Sequence, residues 1–598
     1  MEQSQNTPLA RALETIKKLK AQLSAQQDRQ AIAIIGAGLR LPGGIDTLDA
    51  YWSALAAGKN LVGTLSAQRR APFAQRWEGL PIQGGYLEQV LGFDAAFFGI
   101  SPREARALDP QHRLLLEVAW EAFEHAALPP DRLANVRTGL YLGVTGQDYR
   151  DWQQGAPDAY WATGNGHCFA AGRIAYALGL TGPTMAVDTA CSSSLVALHL
   201  AAQALRAGEC EVALAGGVNL VLSPRSTELV VQTRSLAPDG LCKSFDARAN
   251  GFTRGEGCGV VVLKPLAQAE RDGDRILAVL RGSALNQDGR SSGFTAPNVL
   301  AQTALLEAAL ADAGLSARDI GLIEAHGTGT SLGDPIEMEA LANALGRKNG
   351  GQPLHVGSVK ANIGHLEAAA GIAGVLKVIA CLEHGAVPPL VHFKTLNPRI
   401  DLSGTEIKVS GALTPWDRKH GANAGVSSFG MSGTNAHVIL GAHDKRALRG
   451  GKVEHFAISA KSEPALRALA SRYAERLATV TDAEFAAFAY TASQGRAQHA
   501  VRACITAQNP AQAIEALRDV AQGGAYASDG VCELPRQVLA LPSYPWEREL
   551  FAPEHMLASA SVEVEAKPHY ELRFERAQLT ASTQQVLLVC EDQALRTR

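Results

Sequence analysis

Cys191 stands where a short apolar strand gives way to a helix, in the stretch TMAVDTACSSSLVALHLAAQALRAG. The strand reading ends at Val187, and a helix is predicted from about Ser192 to Gly208. A thiol at a helix N-terminus faces unsatisfied N–H groups and the positive end of the helix dipole. Both favour the thiolate, the form that attacks an acyl carbon. Ala190 and Ser192 to Ser194 are small enough to allow a sharp turn and to leave room for a thioester. The same pattern is compatible with a buried structural cysteine at a Ser-rich helix start, and the local sequence leaves both readings open.

Two histidines occupy comparable places later in the chain. His326 ends the strand-like IGLIEAH and opens the loop GTGTSLGDPIEMEALANAL, whose glycines 327, 329 and 333 allow close approach of backbone or of a long substrate arm. Asp334, Pro335 and Glu337 are predicted to cap the helix that follows, as N-cap, N1 proline and capping-box partner. His365 lies in HVGSVKANIGHLEAAAG, again between strand and helix, five residues after Lys360. Strand-end loops are where open α/β sheets place their chemistry. A zinc site is the competing use of two histidines, but they are 39 positions apart and no HExxH pattern or compact carboxylate cluster surrounds them. A third junction, NAGVSSFGMSGTNAHVIL, makes a Gly-rich turn around Phe429 and Gly430 whose N–H groups suit an oxyanion site.

These residues need a scaffold that alternates strands and helices. From Ala31 the run AIAIIG reads as a strand, and the alternation continues to about residue 440. A smaller α/β pattern follows between about 453 and 525, with HFAIS as strand, EPALRALASRYAERLA as helix and a second helix near 510 to 520. LPRQVLALPSYPWEREL, residues 534 to 550, is proline-punctuated and aromatic, the pattern of an extended strap. The expected organisation is a helix over 1–30, a main domain over 31–445, a small α/β domain over 446–530, a strap over 531–555 and, over 556–598, a segment containing QQVLLVC that begins another domain. In the first segment Leu9, Ile16 and Leu23 recur every seven residues, a short coiled-coil pattern suited to docking.

Composition sets the outer bounds. With 46% hydrophobic and 19% charged residues among 598, the chain buries a large core. Its formal charge of -3 offers no general attraction to nucleic acid. No apolar run of about 18 residues and no apolar leader occur, so a cytoplasmic location without membrane contact is the expectation. The nine cysteines are scattered, with no paired CxxC spacing. GAGLRLPGG near the start has its third glycine misplaced for a dinucleotide-binding turn.

DTACSSS, EAHGTGT, KANIGH and GTNAHVIL, in this order, resemble the signature motifs of type I modular polyketide ketosynthases. IAIIGAGLRLPGG, FFGISPREARALDPQHRLLLEVAWEAFEHA and SFDARANGFTRGEGCGVVVLKPL extend the resemblance over roughly residues 31 to 445, with a weaker likeness to about 550. Two departures are the opening motif GAGLRLPGG and Asn250, where relatives often carry Asp. The resemblance implies an α/β fold of the thiolase-like kind, a duplicated five-layer αβαβα core that usually forms a homodimer. It likens residues 446–530 to the linker beside an acyltransferase, and LPSYPWEREL to the strap after one. No GHSxG nucleophile elbow stands between these pieces, which points to a trans-acting acyltransferase.

The implied activity is that of a β-ketoacyl synthase. Cys191 accepts an acyl chain from an upstream acyl carrier protein, and malonyl on a second carrier protein loses CO2 and extends it. His326 and His365 would stabilise the enolate. The N–H groups of Cys191 and Phe429 would hold the thioester oxygen with Gly430 in support, and Lys360 would orient the histidines. Thr328, Thr330, Asn362 and His167 are the expected channel residues, although packing is the favoured role for His167. No bound metal or organic cofactor is implied, because phosphopantetheine arrives on the carrier protein. The other expected partners are a second copy of the chain, the separate acyltransferase and an upstream synthase subunit met by the N-terminal helix. Two alternatives stay open: a ketosynthase that only passes the chain onward, and a docking scaffold. A biosynthetic thiolase is less suitable, because SSFGMSGTNAH lacks a second acid-base cysteine.

Overall fold

Both faces of the strand containing AIAIIG are buried, and that decides the architecture. In β1 (Ile32–Arg40), Ile32 and Ile34 enter one apolar core while Ala33 and Ile35 enter another. A strand apolar on both faces has to lie between two layers. The computed structural model describes residues 31–153, 158–346, 353–417, 421–444, 447–448, 450–527 and 533–553. The predicted helix over 1–30 and the strand QQVLLVC lie outside the described residues.

The first half of the main sheet continues with β2 (Thr138–Gly143), β3 (Thr184–Val187), β4 (Val212–Asn219) and β5 (Gly257–Pro265). The second half holds β6 (Ala278–Gln287), β7 (Ile320–Glu324), β8 (Leu354–Gly357), β9 (Ile407–Val409), β10 (Asn423–Phe429) and β11 (Thr434–Gly441). The strand order is β9-β8-β7-β10-β11-β6-β1-β5-β4-β2-β3. In the first half β1 runs antiparallel to β5 and β5 to β4, while β4, β2 and β3 are parallel. The second half repeats this pattern: β6 antiparallel to β11, β11 to β10, then β10, β7 and β8 parallel. Antiparallel pairing of Ile32–Ile34 with Ala278–Leu280 joins the halves, and β9 is an added edge strand.

Helices complete five layers. On the outer faces, α1 (Pro110–His125) packs on β1 and β5, and α4 (Val299–Ala313) on β6 and β11; α2 (His167–Leu178) lies against α1 and β3. The middle layer is α3 (Ser193–Arg206) and α6 (Ala370–His384), which pack on each other and on both halves of the sheet; α5 (Gly333–Leu345) lies beside α4. Leu195, Leu198, Ile372, Leu376 and Ile379 form the centre of the inner core. By the repeat, β3 with α3 corresponds to β8 with α6. Cys191 and His365 therefore precede equivalent helices.

The small domain contains β12 (His455–Ala460), α7 (Glu463–Leu477), α8 (Phe485–Ser493), β13 (Val501–Thr506) and α9 (Pro510–Ala521). Sequence pattern indicated β12, α7 and α9. It missed α8, whose side chains are buried throughout and show no amphipathic period. Residues 533–548 form the extended strap, which ends by pairing Glu549–Leu550 with Gly92–Phe93. Acidic side chains on one face of α1 hold it. Arg548 pairs with Glu117 at 2.7 Å, Trp546 Nε1 donates to Glu121 at 2.7 Å, and the Tyr544 N–H donates to Glu124 at 2.8 Å. The described residues through Phe551 form one compact unit. No helix among the described residues is long and apolar enough to cross a membrane.

Close approach of the middle helices depends on glycine. A Cβ at Gly143, the last residue of β2, would lie 2.6 Å from the Ser194 backbone nitrogen. Backbone on both sides has little freedom to yield. The variant Gly143→Ala is expected to lose about 1–3 kcal/mol of stability in chemical denaturation and to react more slowly at Cys191, because the clash falls on the start of α3.

Candidate active site

The Cys191 turn is a strained junction. Residues Ala190–Ser192 form one 3-10 turn between β3 and α3, and Ala190 sits in the left-handed region at φ 56°. For a residue with a Cβ that conformation costs about 1–2 kcal/mol. The flanking hydroxyls hold it in place. Ser193 Oγ accepts from the Thr189 N–H at 2.9 Å and donates to the Ala190 carbonyl at 2.6 Å, and Ser192 Oγ donates to the Thr189 carbonyl at 2.9 Å. The serines predicted to permit the turn therefore also brace it.

The expectation of a stabilised thiolate is corrected. Burial pushes the Cys191 thiol up to about 11, and the Glu367 carboxylate adds to this, while Lys360 and the N–H groups of Met431 and Cys191 pull the other way. The desolvation of a buried anion outweighs the favourable dipoles, so the resting sulfur is a thiol.

Both imidazoles are gripped through one nitrogen. Nδ1 of His326 accepts from the Phe429 N–H at 3.3 Å, and Nδ1 of His365 accepts from the Glu367 N–H at 2.9 Å. A ring nitrogen that accepts a hydrogen bond carries no proton, so in each neutral ring the proton is on Nε2, which is left as a donor. The ring centroids are 5.5 Å apart and nearly perpendicular. Burial, then Lys360, then His365 hold His326 well below its ordinary value; burial, then Lys360 and Arg254, do the same for His365. The pair is neutral.

One loop ties these histidines to the cysteine. Ser428 Oγ donates to the Cys191 carbonyl at 2.7 Å, Phe429 donates to His326, and the Met431 N–H meets the Cys191 sulfur. The N–H groups predicted to form the oxyanion site have these partners in the resting protein. The Phe429 N–H bonds His326 Nδ1 at 3.3 Å, the Gly430 N–H bonds the Thr434 carbonyl at 2.8 Å, and the Met431 N–H meets the sulfur. Gly430 instead permits contact, since a Cβ there would lie 2.3 Å from the Thr189 carbonyl oxygen. Met431 was missed because a backbone donor leaves no mark in side-chain identity.

The predicted helix caps act elsewhere. α5 has no side-chain cap. Glu337 reaches back, accepting from the N–H groups of His326 and Gly327 at 2.7 Å each, and Asp334 accepts from Phe245 at 2.6 Å and Gly329 at 3.0 Å. Burial pushes each carboxyl up to about 7. Lys360 is buried beside them; desolvation lowers its pKa, and Glu324 and Glu337 oppose that shift.

The expected channel residues diverge. The hydroxyls of Thr328 and Thr330 are 3.1 Å apart on the His326 loop, where the Thr330 hydroxyl accepts from the Gly333 N–H. Asn362 is buried and holds a neighbouring loop: its side-chain amide donates to the Lys59 carbonyl at 2.9 Å and its backbone carbonyl accepts from the Leu61 N–H. His167 begins α2 with Nε2 3.3 Å from the Gly146 carbonyl.

Family models match most of the described chain. They are "Beta-ketoacyl synthase, N-terminal domain" over residues 29–269, "Beta-ketoacyl synthase, C-terminal domain" over 277–394 and "Ketoacyl-synthetase C-terminal extension" over 397–505. A phenolphthiocerol/phthiocerol polyketide synthase of Mycobacterium tuberculosis is 45% identical over 552 residues, which cover 87% of this chain and 30% of that protein. Erythronolide synthase of Saccharopolyspora erythraea is 43% identical, with 87% of this chain and 15% of that protein covered. The chain thus spans less than a third of each of these two relatives. Among solved structures, the ketosynthase from module 6 of the bacillaene synthase of Bacillus subtilis 168 is 34% identical, with a TM-score of 0.79 over 87% of this chain and 100% of that one. An oxazolomycin ketosynthase domain from Streptomyces albus JA3453 is also 34% identical, with a TM-score of 0.80 over 88% of this chain and 99% of that one.

The neutral imidazoles have a consequence for pH. An imidazole in the unfolded chain takes up a proton near 6.5, whereas the folded His326 and His365 do not, so below that pH the unfolded state binds more protons. Stability that is complete above pH 6.5 is lost as the pH falls. His326→Gln or His365→Gln is expected to give a shallower fall of Tm between about pH 7 and pH 5 than the parent protein, measured by scanning calorimetry in matched buffers.

Proposed function

The chain belongs to the β-ketoacyl synthase family of condensing enzymes found in modular polyketide synthases, and from that premise we propose that it elongates an acyl chain on Cys191 by decarboxylative condensation with a malonyl group carried on an acyl carrier protein. The observation that carries the reading is the orientation of the two histidines, each neutral and each offering Nε2–H. Two neutral donors suit a developing enolate, which needs hydrogen bonds without surrendering its charge to a stronger acid.

In the first half-reaction the Cys191 sulfur attacks the acyl thioester, and the thiol proton passes to the departing phosphopantetheine sulfur. The Cys191 N–H and the Phe429 N–H, whose bond to His326 Nδ1 is long at 3.3 Å, are the donors for the oxyanion formed. In the second, the malonyl C–C bond breaks with release of CO2. His326 and His365 hydrogen-bond the thioester oxygen of the enolate, and its carbon attacks the acyl group on Cys191. The sulfur leaves as thiolate and takes up one proton. Phosphopantetheine on the carrier proteins is the carrying group throughout; the chain's own residues bind, orient and exclude water.

Three partner assignments rest on the sequence and on the exposed surface. A separately supplied acyltransferase is favoured because the small domain is followed after a few residues by the strap, with no GHSxG turn between. A homodimer is favoured by the free edge of β3, whose Met185 is exposed along with Phe169 and Tyr176 on α2. The heptad pattern of residues 1–30 is assigned to docking of an upstream synthase subunit.

Intact-mass spectrometry with acyl carrier protein and then malonyl carrier protein separates the steps. The parent protein is expected to gain one acyl adduct and then release a chain two carbons longer. Cys191→Ala is expected to take no adduct. His365→Ala is expected to keep the adduct and to lose elongation on the order of 100-fold. An adduct on the parent protein with no elongation would leave only chain transfer.

A further inference from the structure

The segment GFTRGEG, conspicuous in the sequence but without an assigned role, surrounds His365. The His365 N–H donates to the Thr253 carbonyl at 2.7 Å, and its carbonyl accepts from the Gly255 N–H at 2.8 Å, so its backbone is paired with this segment like a strand. The Phe252 ring meets the imidazole edge-on, with centroids 5.2 Å apart. Between them, Arg254 reaches past His365 to Glu367, donating from Nε at 2.6 Å and from Nη2 at 3.2 Å. Its Nη1 donates to Ser226 Oγ at 2.9 Å and Thr227 Oγ1 at 2.8 Å, and Ser226 Oγ donates in turn to Asp148 at 2.8 Å.

Glu367 is the residue whose N–H fixes the His365 ring, and its backbone is in the left-handed region at φ 46°. A residue with a Cβ holds such a conformation only where its surroundings compel it. The bidentate Arg254 contact supplies that constraint. Arg254 is 6% exposed and Glu367 23% exposed, so the pair is largely removed from solvent, where a fork-to-carboxylate contact is most directional.

We propose that Arg254 and Glu367 are positioning residues for decarboxylation: the guanidinium clamps the Glu367 side chain, the clamp holds the Glu367 backbone, and that N–H locks His365 with its Nε2–H toward the reacting malonyl group. This rests on the condensation reading above. It separates the two half-reactions, because acyl transfer to Cys191 does not need the His365 donor to be aimed at malonyl, whereas decarboxylation does.

The groups facing His365 are Lys360 and Glu367 from its own loop, Arg254 with Asp148 and Tyr86 behind it, His326 from the opposite loop, and Cys191 beyond Glu367. Arg254 is among the groups that keep the imidazole unprotonated. Loss of its positive charge makes protonation easier, so the acid limb of the decarboxylation profile moves to higher pH.

The test measures Cys191 acylation by intact mass and CO2 release from malonyl carrier protein, each over a pH series, on the full chain. Arg254→Met is expected to slow CO2 release on the order of 100-fold while acylation stays within about threefold, and to move the acid limb upward. Arg254→Lys is expected to return the limb toward its original pH with only part of the rate, since an ammonium keeps the charge and loses the fork. Glu367→Gln, which keeps the shape and one acceptor, is expected to lie between Arg254→Met and the parent protein, and it decides the matter should Arg254→Met fail to fold. Equal loss of acylation and CO2 release in both Arg254→Met and Glu367→Gln, or parental CO2 release in either, overturns the proposal. Absence of CO2 release from the parent protein would instead overturn the condensation reading.

Discussion

The approach of two helix N-termini at the middle of the molecule is the constraint on which the rest depends. α3 and α6 are equivalent helices of a duplicated chain, and they meet at their starts, where Ser194 Oγ accepts from the Ile372 N–H at 3.1 Å. Small residues make this possible: a Cβ at Gly371 would lie 3.0 Å from the Leu195 Cβ, and one at Gly217 would lie 2.8 Å from the Ser194 Cβ. Cys191 precedes one helix and His365 the other. Residues 174 positions apart in the chain, 365 minus 191, thereby stand before two helices that pack on each other.

Burial of the groups at this meeting point governs their chemistry. With water removed, ionised forms are expensive: the thiol rises, the imidazoles fall, and Asp334 and Glu337 rise to about 7. Where charge is retained, it is paired. Lys377 meets Glu324 at 2.6 Å, Arg69 meets Glu256 at 2.6 Å, and Arg254 meets Glu367. Buried pairs of this kind contribute little net stability against an apolar replacement, but breaking one leaves an uncompensated charge. Their clearer contribution is geometric, because each holds backbone groups: Glu324 accepts from the Val359 N–H, Glu256 from the Leu87 and Val221 N–H groups, and Arg254 clamps the residue that bonds His365. The buried carboxylate of Glu337 acts in the same way on the His326 and Gly327 N–H groups.

The outer parts serve the same purpose at longer range. α1 is covered on one side by the sheet and on another by the strap, so Glu117, Glu121 and Glu124 are shielded yet satisfied by Arg548, Trp546 and Tyr544. Phe97, Trp120, Tyr544 and Trp546 pack beside them at steep interplanar angles, with centroids 4.6–5.2 Å apart. Such aromatic contacts are directional as well as apolar. The small domain and strap are thus joined to the layer that carries β1.

By itself the sequence determined the alternation of strands and helices, the place of Cys191, His326 and His365 in connections between a strand and a helix, and the extended strap, because local periodicity, glycine and proline act over a few residues. Tertiary structure alone decided the rest. Which N–H meets the sulfur, where Glu337 and Asp334 point, that Asn362 bonds the Lys59 carbonyl, and that the cysteine rests as a thiol all depend on groups distant in the chain. The reason is physical: backbone donors have no residue identity to read, carboxylates find the nearest unsatisfied N–H in space rather than in sequence, and desolvation is a property of the folded surroundings.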